Sequence, residues 1–311
     1  MKDHSADFSK GAAWMPRTHG DEIIPMAEAT IGVTDWGLTH SDITYDVVPV
    51  LEGAFFRLEV YTERFAASMK SFRLDPPQTM EDLKAALPRM VAKSGLKDAY
   101  CAMVCSRGEP LIPGTRDPRE CGNYMFAWVV PYVHVFPPPV AARGAHIWIS
   151  KSSRRIPEYS VNSQAKNYHW GDFTTGLLEA KDHGFDNTVL LDFEGNVTEG
   201  PGFNICALKG DTVVTSAHDV LHGISRRTIL EICDEVGLKS EARPLPLDEL
   251  LDADEVFLTT SSGGLVPVAR VDERVFSNDA PGEVSLRLRE VYRDWTRRPE
   301  HRTEIDYEAA K

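Results

Sequence analysis

Three consecutive prolines, Pro137, Pro138 and Pro139 in "FPPPVAARG" (136–144), constrain this chain more than any other feature. Proline has no backbone N–H, so no sheet ladder runs through such a triplet. The triplet predicts one domain over 1–135, a linker over 136–144 and a second domain over 145–311. A chain of 311 residues is long enough to give each domain its own core.

Before the break, strands are expected at 43–51 ("ITYDVVPVL"), 99–106 ("AYCAMVCS") and 124–136. A helix is expected over 79–94, capped by Thr79 with Asp82 and kinked or broken at Pro88. After the break come a strand at 145–151 and a helix at about 170–183 closed by Gly184. Two strands around a Gly-Asn turn follow over 187–200, then a strand pair over 203–215. Ile229, Ile232, Cys233 and Val236 are spaced for a helix over 224–237. The 255–268 stretch reads as a buried strand running into a hydroxyl- and glycine-rich turn, and a helix at about 282–297 closes the fold. The fold class is α/β or α+β, in two domains.

The net charge of −13 argues against nucleic acid as a partner, because phosphate backbones are bound by clustered cations. The run "YMFAWVVPYVHVF" (124–136) is too short and too proline-interrupted to span a membrane. The opening "MKDHSADFSKGAAWMP" has no apolar core of a signal peptide. Five cysteines without a C-x-x-C pair read as reduced thiols, and a cytoplasmic location is expected.

Lys166, in "NSQAKNYHWGDF" (162–173), stands ahead of a set of groups that share one chemistry. In isolation it is a solvated amine. Glu199 in "VTEGPGFN" ends a strand, where a carboxylate can point into a cleft; alone it is an exposed acid. "HGISRRT" (222–228) sets Ile224 and Ser225 at a helix start, where free N–H groups favour an anion. "TTSSGG" (259–264) adds Thr260 and Ser261 on a second such turn. Arg64 in "VYTERF" offers a cation from the first domain, though by itself it is a solvated helix-face arginine. An imine-forming lysine, a carboxylate for a ring nitrogen and a cup for a phosphate are what pyridoxal phosphate requires.

The order of Lys166, "TEG", "GIS-R" and "TTSSGG-x-x-P" resembles the fold-type IV pyridoxal-phosphate enzymes. These include branched-chain and D-amino-acid aminotransferases, aminodeoxychorismate lyases and R-selective amine transaminases. The resemblance runs from about residue 22 to the C-terminus. It implies a smaller N-terminal α/β sandwich, a larger C-terminal pseudo-barrel and a homodimer. It implies pyridoxal 5′-phosphate as cofactor, Lys166 as the Schiff-base lysine and Glu199 as the partner of the pyridine nitrogen. It further implies Arg64, Ile224, Ser225, Thr260 and Ser261 as phosphate ligands, with serine in two places where the family usually has threonine. Tyr168 and Trp170 are both candidates for the family's aromatic residue near the cofactor.

"DWGLTHSDITYDVVPVLEGAFFRL" (35–58) and "KNYHWGDFTTGL" (166–177) are closest to the R-selective amine transaminases. Where branched-chain members place an arginine for the substrate carboxylate, the equivalent here is Ala102. The loop "CSRGEPLIPGTRDPR" (105–119) resembles one whose arginine swings in to meet a carboxylate and out to admit an apolar group; Arg116 is the candidate and Arg119 the fallback. His40 and Tyr45 are expected to contact substrate. The implied substrates are a primary (R)-amine and a keto acid such as pyruvate, with a branched-chain or D-amino-acid aminotransferase as the alternative and an aminodeoxychorismate lyase behind it.

Two other motifs carry no site. "HSD" (40–42) has triad residue types, but adjacent residues cannot converge on one substrate atom. "HDVLH" (218–222) approaches a zinc motif, but that spacing needs a helix and Gly223 follows at once. No metal is expected.

Overall fold

A computed structural model of the protein describes residues 7–308; residues 1–6 of the opening segment and 309–311 lie outside it. The chain divides into two compact units. The first holds residues up to Val133, Ala165–Tyr168 and the segment from Arg298; the second holds His134–Gln164 and His169–Arg297.

In the first unit the strands are β1 (Ala12–Trp14), β2 (Ile23–Pro25), β3 (Ile43–Leu51), β4 (Ala54–Phe56), β5 (Ala99–Ser106) and β6 (Tyr124–Pro131). With Arg302–Glu304 they form a seven-stranded antiparallel sheet in the order Arg302–Glu304, β4, β3, β5, β6, β1, β2. Helices α1 (Leu58–Ser71) and α2 (Met80–Ser94) belong to the same unit. β3 is buried on both faces, and its residues divide by twos. Ile43, Tyr45 and Val47 join Ala102, Val104 and Phe126 in one cluster.

The second unit holds β7 (Ala145–Arg154), β8 (Asn187–Leu191), β9 (Glu199–Gly200), β10 (Phe203–Lys209), β11 (Thr212–Thr215), β12 (Lys239–Ala242), β13 (Glu255–Thr260) and β14 (Gly264–Val271). The sheet is mixed, in the order β12-β11-β10-β13-β14-β7-β8, with β9 paired to β10. The β11–β12, β14–β7 and β7–β8 pairs are parallel. Its helices include α3 (Pro138–Arg143), α4 (Gly171–Asp182), α5 (Ile224–Val236) and α6 (Glu283–Trp295).

Several expectations change. The 136–144 stretch is not a linker: Pro137 caps α3 and Pro138 opens it, where a missing N–H costs nothing. Pro88 does not break α2, which is continuous over Met80–Ser94. Buried Leu83, Leu87, Met90 and Val91 hold that helix in place, and the Thr79–Asp82 capping box forms as expected. β6 stops at Pro131, and Phe136 packs in the second unit's core, 5.2 Å from Phe203 by ring centroid. The 255–268 stretch holds the expected strand and turn and then a second strand, β14; Gly263 (φ +147°) in the turn and Gly264 (φ +70°) at the start of β14 take backbone conformations that suit glycine. The 145–311 stretch is not one unit, because Ala165–Tyr168 and the tail from Arg298 join the first.

One carboxylate ties α4 to β7. Glu179 accepts from Trp148 Nε1 (2.9 Å), Ser150 Oγ (2.7 Å), Lys151 N (2.9 Å) and Ser152 Oγ (2.6 Å). Burial works to raise its pKa, but these hydrogen bonds outweigh it and hold the carboxyl well below the usual 4.5. A depressed carboxyl adds stability that is fully present above the unfolded value and is lost as pH falls through the folded one. Glu179→Gln is therefore expected to lower stability by about 2 kcal/mol at pH 7. In denaturant melts the gap to wild type should narrow as pH drops below about 4.5; a gap that stays constant down to pH 3 contradicts this.

Candidate functional site

Lys166 is seated by β3. β4 pairs with β3 only at Val50 and Leu51, so the edge near Thr44 is left for another segment. Asn167 bridges to Thr44 there. The Lys166 carbonyl accepts from Tyr45 N (3.2 Å) and Thr44 Oγ1 (2.6 Å), and Lys166 N donates to Ser68 Oγ on α1 (3.2 Å). Backbone bonds thus fix the residue on both sides while its side chain stays half-buried. Nζ lies 4.4 Å from the centroid of the Tyr45 ring.

The face that carries Nζ is aromatic. Tyr168, two residues on from Lys166, stacks on Tyr45 at 4.0 Å with 5° between the ring planes. Tyr100 and Trp128 stack at 5.4 Å and pack against the same cluster. Ala102 sits fully buried between β3 and β6 and brings no charge. Burial pushes the Tyr100 and Tyr168 phenols upward, so both are neutral at ordinary pH.

Arg64, on α1, is engaged on the other side of β3. Its Nε and Nη2 donate to Asp46 at 2.8 and 2.7 Å, and Asp46 is fully buried. Burial opposes the guanidinium charge, but Asp46 outweighs it and raises the pKa. His40 ends a short helical turn, Trp36–Thr39; it is exposed, stacked on Trp36 at 4.4 Å and bonded through Nδ1 to Thr39 Oγ1. In the 107–122 loop, Arg119 is held by Asp117. Arg116 is exposed and has no hydrogen bond or ion pair among the described residues.

In the second unit Glu199 is buried at 5% exposure and held from three directions. Oε1 accepts from Arg155 Nε (3.2 Å), with Arg155 Nη2 also at 3.2 Å. Oε2 accepts from Asn204 Nδ2 (3.2 Å) and Leu221 N (3.0 Å). The "HGISRRT" turn delivers Ile224 and Ser225, both buried, to the start of α5. No side chain caps that helix, so its first-turn N–H groups point outward as an anion site requires. Ser225 Oγ meets Tyr292 Oη of α6 at 3.1 Å. Gly264 lies against the same tyrosine ring: a Cβ built there falls 2.9 Å from it. Thr260 Oγ1 donates to Gly202 O (2.8 Å) and accepts from Ser262 N (3.2 Å). Trp170 packs edge-on against Phe173, with its ring facing Gly202.

Each unit by itself carries part of what a phosphorylated pyridine aldehyde needs: the first an amine, Lys166, and the second a buried carboxylate, Glu199, with two hydroxyl-bearing turns. Buried Ser163 Oγ and Thr259 Oγ1 have no hydrogen-bond partner among the described residues. "HDVLH" is not helical, and no group of His, Cys, Asp or Glu among the described residues is arranged to hold a metal. Sequence reasoning missed Arg155 and Tyr292. Arg155 stands in "SSRRIPE", which looks like a solvated charge run, and Tyr292 reads as one apolar position of an amphipathic helix.

Residues 44–271 match the model of the family described as amino-transferase class IV. A putative branched-chain-amino-acid aminotransferase of Methanocaldococcus jannaschii is 30% identical over 270 residues, covering 86% of this chain and 91% of that one. D-alanine aminotransferase of Bacillus licheniformis is 24% identical, covering 85% and 90%. The T.th. branched-chain amino acid aminotransferase with pyridoxamine 5′-phosphate superposes with a TM-score of 0.87 at 27% identity, over 95% of this chain and 99% of that one.

Proposed function

The chain belongs to the class IV aminotransferases, a family that works with pyridoxal 5′-phosphate, and from that premise we propose that it moves an amino group from a primary (R)-amine to a keto acid such as pyruvate in a ping-pong cycle. The observation that carries the donor class is the face around Lys166 Nζ. Tyr45, Tyr168, Tyr100 and Trp128 are aromatic and Ala102 supplies no cation, so an apolar substituent is favoured over a fixed carboxylate.

Bound, the cofactor supplies an aldehyde for the amine and a ring that takes up the electron pair released at the substrate carbon. Lys166 Nζ holds the cofactor between turnovers and, once displaced by the donor amine, carries the proton away from the substrate carbon. Glu199 keeps the ring nitrogen protonated. Arg64, Ile224, Ser225, Thr260 and Ser261 hold the phosphate, with Arg64 shared between it and Asp46. Tyr168, kept neutral by burial, would offer its hydroxyl to the cofactor, with Trp170 as the other aromatic neighbour. Tyr45 and His40 contact substrate. Arg116, exposed and without a hydrogen bond or ion pair among the described residues, meets the keto acid's carboxylate and withdraws for the amine, which spares the enzyme a buried unpaired cation.

The proposal includes a homodimer and a cytoplasmic setting. Exposed Val33, Leu38, Leu111 and Ile112 on the loops of the first unit support the former. Five free, buried cysteines support the latter, with burial raising the Cys206 thiol to about 11. Among the described residues no helix is long and apolar enough to cross a membrane. The branched-chain and D-alanine relatives support a second reading, in which the donor is an amino acid.

The test is a product assay with (R)-1-phenylethylamine and pyruvate, run on wild type and Arg116→Ala. Wild type should form acetophenone and alanine in equal amounts. Arg116→Ala should raise the KM for pyruvate about tenfold or more, corresponding to one lost charge-assisted pair, while the KM for the amine changes less than about twofold. Absence of acetophenone rejects the donor class; an unchanged pyruvate KM rejects the role of Arg116.

A further inference from the structure

Among the donors to Glu199 are Arg155, Asn204 and the Leu221 N–H, and of these three Arg155 carries the charge. Asn204 and the Leu221 N–H are neutral donors that fix the direction of the carboxylate, which is 5% exposed, and Arg155 brings a full positive charge to it. Its guanidinium, 7% exposed, reaches Glu199 Oε1 through Nε and Nη2, both at 3.2 Å.

Arg155 is itself braced. Nη1 donates to Asp172 Oδ2 at 2.7 Å, and the guanidinium lies over the Phe173 ring, 4.4 Å from its centroid. Asp172 in turn accepts from Ile156 N (2.9 Å) and stands in the first turn of α4. A planar fork tied at one end and stacked on a ring cannot swing away from its carboxylate. Arg226, the nearby buried guanidinium, is committed to Thr215 Oγ1 (3.3 Å) and Ser216 O (2.8 Å).

We propose that Arg155, braced by Asp172 and Phe173, is a positioning residue that fixes Glu199 in charge and direction for the cofactor's ring nitrogen, so that it acts on the cofactor only through Glu199. This rests on the role given to Glu199 above. A merely structural Arg155 would join the end of β7 to α4, and its loss would weaken the protein whatever stood at 199.

The experiment is a double-mutant cycle on cofactor affinity. Apoenzymes of wild type, Arg155→Lys, Glu199→Gln and the double variant are titrated with pyridoxal 5′-phosphate, followed by fluorescence and by the absorbance of the bound cofactor. Arg155→Lys keeps the charge but not the fork. It should weaken binding about tenfold in the wild-type background and less than about twofold beside Glu199→Gln. Equal losses in both backgrounds overturn the inference and leave Arg155 structural. If Glu199→Gln alone changes neither affinity nor absorbance, the role of Glu199 falls instead, a separate outcome. Should Arg155→Lys fail to fold, Asp172→Asn decides. It leaves Arg155 and Glu199 in place and should weaken binding about threefold, again only where Glu199 is present; no loss, or a loss independent of Glu199, contradicts the proposal.

Discussion

Lys166→Ala should lower turnover by about four orders of magnitude, the size expected when a nucleophilic amine and proton carrier are removed together. The folded protein should tolerate the change. The bonds that seat the residue run through its backbone to Thr44, Tyr45 and Ser68, and alanine keeps all of them. The contact of Nζ with the Tyr45 ring is lost, about 0.5–1 kcal/mol, a fall in Tm of about 2–4 °C. Turnover is checked by single-turnover kinetics and Tm by calorimetry on the same samples. Near-wild-type turnover would remove Lys166 from the chemistry.

The second large effect concerns folding. Asp46 is fully buried on β3, and Arg64 faces it with two hydrogen bonds. Asp46→Ala leaves a guanidinium in a low-dielectric interior without its carboxylate, which costs about 3–5 kcal/mol. For a unit of this size Tm should fall by about 10 °C. The double variant Asp46→Ala with Arg64→Met should recover most of that loss, because no unpaired charge remains. A thermal melt of the three proteins checks both statements. If Asp46→Ala melts within about 2 °C of wild type, less than the smallest shift such a loss allows, the pair does not hold the first unit together.

How far the sequence carried depends on the range of the interaction. Thr79 with Asp82 is a three-residue signal, and its capping box forms as read. The helix over 224–236 was legible from one apolar stripe. Lys166 and Glu199 stand in the sequence as part of an ordered set whose residue types suit one cofactor. What placed Lys166 was not legible: a vacant stretch of β3 edge exists only because β4 is short, a fact of pairing between distant segments. The same holds for Arg302–Glu304, which joins β4 from the far end of the chain. Pro88 misled because packing of Leu87 and Met90 outweighs a local breaker. The proline triplet misled because a residue that ends a strand also starts a helix. Arg155 could not be told from its neighbour Arg154 without the fold, since only the geometry turns one of two adjacent arginines towards Glu199 and Asp172.

The most direct measurement is a half-reaction on the cofactor-loaded protein, with no keto acid present. (R)-1-phenylethylamine, its S enantiomer, L-leucine and D-alanine are added separately, and the absorbance of the lysine-bound cofactor is followed. The account predicts that of the two enantiomers only the R amine bleaches the band to the pyridoxamine form. If an amino acid bleaches it and neither amine does, the donor is an amino acid and the reading of the aromatic face is wrong.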